Sequence, residues 1–102
     1  MARNKEKCKK INLVCDKRLD KYFSISRKAI AEARKHVVAA RKKDAEAVLD
    51  MASRYLQDAE YFRNQGNYVN AFAAVNYAHG WLDAGSKLGL FDVSDSSLFV
   101  VK

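Results

Sequence analysis

The chain has no proline and only four glycines, at Gly66, Gly80, Gly85 and Gly89. Proline is the residue a helix interior tolerates least, so its absence leaves long helices permitted almost throughout. No apolar run approaches the ~20 residues that span a bilayer, and no apolar signal core follows the basic N-terminus. No membrane partner is therefore expected, and the sequence places the protein in the cytoplasm. Also lacking are a phosphate loop, paired-cysteine zinc spacing, a His-Glu zinc helix and a glycine-rich dinucleotide turn. Metal and nucleotide enzymes are disfavoured on that ground, and neither a cofactor nor a metal is expected. The two cysteines, Cys8 and Cys15, fall in a stretch with helical periodicity. A shared helix would hold their Cα atoms ~10.5 Å apart, too far for a bridge, so they read as small packing thiols in a reducing compartment.

What is present suits a single folded core: 102 residues, 49% of them apolar and 30% charged. The net charge of +7 hides a polarity along the chain. Residues 1–43 carry 15 Lys/Arg against 4 Asp/Glu (+11), and residues 44–102 carry 4 against 8 (−4). A basic helix lying on an acidic hairpin absorbs part of that difference, and the remainder is available to an anionic partner.

From about Lys5 to Ala40, apolar or small residues recur at Cys8, Ile11, Cys15, Leu19, Tyr22, Ser26, Ala29, Ala33, Val37 and Ala40. Steps of three and four predict a helix, with a break near Ser24 as the alternative if Ser24 or Ser26 caps a new start. Arg41-Lys42-Lys43 ends it, and Asp44 is the candidate N-cap of a second helix, Ala45 to Asn64. That helix carries Ala45, Val48, Leu49, Ala52, Tyr55, Leu56, Ala59 and Phe62 on one face and charged residues on the other. Gln65-Gly66-Asn67 supplies a left-handed cap and then a new N-cap, so the third helix, Tyr68 to Leu88, must fold back antiparallel. The third helix is apolar over most of its circumference and is expected to touch two neighbours at once. Its small residues Ala73, Gly80 and Ala84 predict a close backbone approach. The fold class that follows is all-α: a three-helix up-down bundle, or four helices if the first segment breaks, ending in an antiparallel hairpin. Residues 1–91 form one domain with a basic N-terminal helix. Residues 92–102 form a tail, polar and then apolar through Leu98-Phe99-Val100-Val101, expected to dock either back on its own bundle or onto a second chain.

Helical spacing aligns Asn76, His79, Asp83 and Lys87 on one face of the third helix. His79 and Asp83 could orient an imidazole, but no nucleophile or oxyanion donor stands near them in sequence, so no catalytic residue is assigned. The stripe reads first as a solvated face with a functional role held open. Lys9, Lys10, Lys17, Arg18, Lys21, Arg27 and Lys28 are the candidate anion-binding residues; with only Tyr22 and Phe23 interleaved, contact would be to nucleic-acid backbone rather than bases.

The run Tyr61-Phe62-Arg63-Asn64-Gln65-Gly66-Asn67-Tyr68-Val69-Asn70-Ala71-Phe72, continuing through Tyr77-Ala78-His79-Gly80-Trp81-Leu82-Asp83-Ala84-Gly85 and Leu88-Gly89-Leu90-Phe91, resembles the archaeal family known as domain of unknown function 357. Lys21-Tyr22-Phe23 and Ala52 to Ala59 resemble it too. The resemblance implies a helical bundle in an archaeal cytoplasm and carries no activity, cofactor or catalytic residue. The Gly66, Tyr68 and Ala71 spacing is also similar to tetratricopeptide hairpins, yet one unit is present where about three make a solenoid. Ribonucleases of the HEPN group, another helical-bundle resemblance, place an arginine a few residues before their histidine; the nearest arginine before His79 is Arg63, and Arg34 lies too close to His36. The leading expectation is a non-enzymatic interaction module, a self-associating bundle that holds a protein partner through its basic first helix or its apolar tail. Backbone binding of RNA or DNA comes second, and a hydrolase or ribonuclease using His79 and Asp83 third.

Overall fold

The structure, a computed structural model, describes residue 10 and residues 12–99. Among these residues there are three α-helices: α1 (Asp16–Lys35), α2 (Lys42–Asn64) and α3 (Tyr68–Lys87). A single 3-10 turn, Ala39–Arg41, leads into α2.

The first helix is shorter than its periodicity predicts. It runs unbroken through Ser24, so the four-helix alternative finds no support there, and it stops at Lys35. Beyond it Val37 forms an isolated antiparallel bridge with Phe91, flanked by hydrogen bonds from Val38 N to Leu90 O (2.9 Å) and from Asp92 N to His36 O (2.8 Å). Two successive β-branched residues favour that extended pairing over another helical turn. At the other end Cys15 is the N-cap of α1, not a residue inside it. Cys15 is buried and disulfide-bonded, which corrects its reading as a free thiol. The helical spacing argument loses its premise, and Cys8 lies outside the described residues. Asp44 falls in the first turn of α2 rather than at its cap, where its carboxylate faces the positive end of the helix dipole and pairs with Arg41 at 3.6 Å.

The turn between α2 and α3 follows its sequence closely. Gly66 adopts φ +76°, and Asn67 Oδ1 accepts from Asn70 N at 3.2 Å. Val48 lies beside Gly85 and Tyr55 beside Tyr77, so the two helices run in opposite directions. Their interface is the most extensive in the molecule. It is lined by Ala45, Leu49, Ala52, Leu56 and Ala59 against Ala71, Ala74, Val75, Ala78 and Leu82, and so many alanines bring the two backbones close.

Helix α1 lies across this hairpin through Leu19, Phe23, Ala29, Ile30 and Ala33. One end is pinned by charge. Arg63 Nη2 donates to Asp16 (3.2 Å) and Asp20 (2.6 Å), Tyr68 OH donates to Asp16 (2.6 Å), and the guanidiniums of Arg27 and Arg63 lie over the Phe23 ring at 5.0 and 5.5 Å. Burial works against the Arg63 charge, and the bonds to Asp20 and Asp16 more than offset it, leaving its pKa raised. The described part of the tail folds back: Phe99 is buried in the core, Leu98 and Val93 pack against it, and Asp95 closes a turn by accepting from Ser97 N and Oγ, while Val100 and Val101 lie outside the described residues.

Candidate functional site

Helices α1 and α3 diverge enough to leave a cavity of about 360 Å³ lined by Tyr22, Ile25, Ser26, Asn76, His79, Gly80 and Asp83. Three of the four polar residues that helical spacing aligns on α3 therefore share one site; Lys87 is not among its lining residues. Ser26, on α1 and 53 residues away in sequence, comes within 3.2 Å of His79 Nδ1 through its hydroxyl, while Asp83 Oδ1 stands 3.6 Å from Nε2. No nucleophile stands near His79 in sequence, and this hydroxyl reaches it only through the fold. Two helices supply the partners, and only the intrahelical one is visible as a sequence spacing.

The chemistry of this arrangement is limited by its setting. Ser26 is 2% exposed, and the carboxylate lies beyond hydrogen-bond reach of the ring. Ser26 and His79 both sit in helix interiors, where backbone amides are engaged in the i to i−4 ladder and are not free to receive an oxyanion. The cluster orients an imidazole in a small, mainly apolar recess that carries a few polar groups. Among the described residues no group of three or more His, Cys, Asp or Glu is placed to hold a metal.

The candidate anion-binding residues separate into two sets. Lys17, Lys21 and Lys28 are exposed on the outer face of α1, in register with Lys35. Arg27 instead pairs with Glu60 at 3.4 Å, and Arg18 donates to the Lys10 carbonyl at 2.9 Å. Lys10 is exposed, and Lys9 lies outside the described residues.

The third feature is the outer side of α3. With α2 on one flank and α1 on the other, Val69 (71% exposed), Tyr77 (54%) and Leu88 (63%) face solvent together with Ala73, Gly80 and Ala84. Helix α3 does touch two neighbours, and the side that carries Tyr77 and Gly80 is left largely uncovered by both. Gly80 in particular has no atom of the described residues within 4 Å of where a Cβ would stand, and Ala73 and Ala84 are exposed as well, so the close approach expected at these three does not occur among the described residues. The close approach falls at Gly85 instead. A second cavity, of about 450 Å³, runs beside this face between α2 and α3, lined by Tyr55, Asp58, Phe62, Asn70, Ala73, Ala74 and Tyr77.

A family model described as protein of unknown function (DUF357) matches residues 21–91, which is 71 of the 102 residues. The chain belongs to this family. No curated protein and no solved structure matches it. Both cavities and the exposed face of α3 fall wholly inside the DUF357 region, whereas Lys17 precedes it and Phe99 follows it. No helix among the described residues is long and apolar enough to cross a membrane.

Proposed function

We propose that this DUF357 chain, an up-down three-helix bundle, is a non-enzymatic interaction module that engages a protein partner or a second copy of itself through the outer face of α3. One observation carries the reading: that face exposes Val69, Tyr77 and Leu88 by more than half each while α1 and α2 occupy its two flanks. Contiguous exposed apolar surface on a helix is a liability in water unless something covers it. Full-length protein immobilised alongside a Tyr77→Glu variant, challenged with extract of its own source cells, tests the reading. Retention of a species by the parent and its loss from the variant is expected. Equal retention by both, or by neither, with the chain also monomeric, removes it.

A second reading rests on the exposed lysines of α1. Lys21, Lys28 and Lys35 recur every seven residues, about 10.5 Å apart along the axis, a spacing suited to a phosphate backbone. Salt-titrated binding to a labelled duplex and to a single strand decides it. Affinity that falls with salt and drops further in Lys21→Glu/Lys28→Glu supports backbone binding, and no binding at low salt eliminates it. A hydrolase built on Ser26, His79 and Asp83 would require ester or phosphodiester turnover that His79→Ala abolishes.

A further inference from the structure

We infer that the outer face of α3 packs antiparallel against the same face of a second copy, about a two-fold axis passing between Ala78 and His79. The inference rests on the interaction reading above and names its occupant. Among the exposed positions of α3 and its C-cap, the apolar or small ones, Val69, Ala73, Tyr77, Gly80, Ala84 and Leu88, are spaced four, four, three, four and four apart, an order that reads the same from either end, with Asn70, Asn76 and Lys87 exposed beside them. In a two-fold interface residue i meets j and j meets i, so a helix that packs on its own reversed copy needs a pattern with that symmetry.

Side-chain size follows the same symmetry. Reversal about the axis sets Tyr77 opposite Gly80, Ala73 opposite Ala84 and Val69 opposite Leu88. A ring meets a missing side chain, two methyl groups meet where the backbones come closest, and branched residues close both ends. Parallel pairing would instead stack Tyr77 on Tyr77 and leave Gly80 facing Gly80, a clash beside a gap.

Gly80 borders the recess between α1 and α3 but packs against no described atom. A helix-interior glycine is less stable than alanine, and nothing among the described residues occupies the space that its side chain would take. Room for Tyr77 of the second copy explains it. The six positions themselves are uncharged, and the one charged residue exposed in line with them is Lys87, near the end of the helix. Reversal also sets Asp83 level with Ala74 and Lys87 level with Asn70, so neither meets its own kind. The cavity beside Ala73 and Tyr77 gives Leu88 of the second copy a recess to enter. From Val69 to Leu88 the face is about 28 Å long and about 10 Å wide. That is roughly 300 Å² per copy, so the dimer belongs among small, concentration-dependent interfaces.

The test reads mass by light scattering and sedimentation of the full chain from about 1 to 500 μM, with circular dichroism confirming that each variant is folded. The parent is expected to move from 11.5 kDa toward twice that mass as concentration rises. Ala73→Glu and Ala84→Lys, both at exposed positions, should each weaken association by roughly tenfold or more, because each forces a charge into an apolar contact. The double variant Ala73→Glu/Ala84→Lys should recover most of it, since the antiparallel register sets Glu against Lys twice. In a parallel register the double variant would be worse than either single one. A parent that is monomeric at every concentration overturns the inference and leaves the broader partner reading to the extract experiment. A dimer indifferent to both single changes overturns it as well, as does one that the double variant fails to restore.

Discussion

Gly80 and Gly85 lie five residues apart in the same helix and respond in opposite directions to the same change. An alanine Cβ at position 85 would stand 2.5 Å from Phe91 Cε2, 3.1 Å from Phe91 Cζ and 3.1 Å from Val48 Cγ1. The Phe91 ring has little freedom to retreat: it is 3% exposed, and its backbone is held by the bridge to Val37 and the bond from Asp92 N to His36 O. Replacing glycine in a helix gains ~1 kcal/mol, while overpacking a buried site costs roughly 1–3 kcal/mol, and expelling the ring would forfeit about as much again. The net expectation for Gly85→Ala is a loss of about 1–2 kcal/mol, or roughly 5–15 °C in Tm for a domain of this size. Gly80→Ala meets nothing and keeps the helix gain, which raises Tm by about 2–6 °C. Thermal and urea unfolding followed at 222 nm, at micromolar protein or below so that association does not contribute, measures both. A Gly85→Ala protein as stable as the parent, or a Gly80→Ala protein as damaged as Gly85→Ala, would refute the packing assignment.

Tyr68→Phe removes the hydrogen bond to Asp16, a loss of about 1 kcal/mol because Arg63 still serves the same carboxylate. The bond to Asp16, with desolvation behind it, raises the Tyr68 pKa above its ordinary value of 10.0. The unfolded chain therefore releases this proton first, and stability that is complete below pH 10 falls as pH climbs toward the folded value; Tyr68→Phe should flatten that alkaline loss in pH-dependent urea melts. Arg63→Ala leaves Asp16, 14% exposed, without its cation and should lower stability by about 2 kcal/mol. Arg63→Lys should recover only part of this, since an ammonium does not reach two carboxylates while lying over Phe23. Phe99→Ala should lower the urea midpoint by the equivalent of about 2 kcal/mol, and an unchanged midpoint would show that the tail contributes nothing to the core.

The hairpin was legible because its signals are local: the α2 stripe, Gly66 at a left-handed turn and Asn67 at a cap all act within a few residues of one another. The same holds for His79 and Asp83, one turn apart on α3. Features set by distant partners were not legible. The first helix stops at Lys35 because Val37 and Val38 find Leu90 and Phe91, more than fifty residues on, and no periodicity announces that competition. Ser26 meets His79 across two helices, so its presence in the recess needed the fold. The small residues Ala73, Gly80 and Ala84 predict a close approach that falls instead at Gly85, because only packing shows which of these positions has a neighbour. The solvent exposure of Tyr77 was hidden for the same reason, since an apolar helix with three sides and two neighbours looks identical in sequence to one with three.

The three-residue connection between α2 and α3 also sets an order of events. Its contacts close a short loop and can form within the time of local chain motion, whereas α1 must find Arg63, Tyr68 and Phe91 across some fifty residues of chain. The hairpin should act as the folding nucleus and α1 as the segment that arrives last and leaves first. Its amide hydrogens should then exchange with solvent through a partial opening that spares α2 and α3.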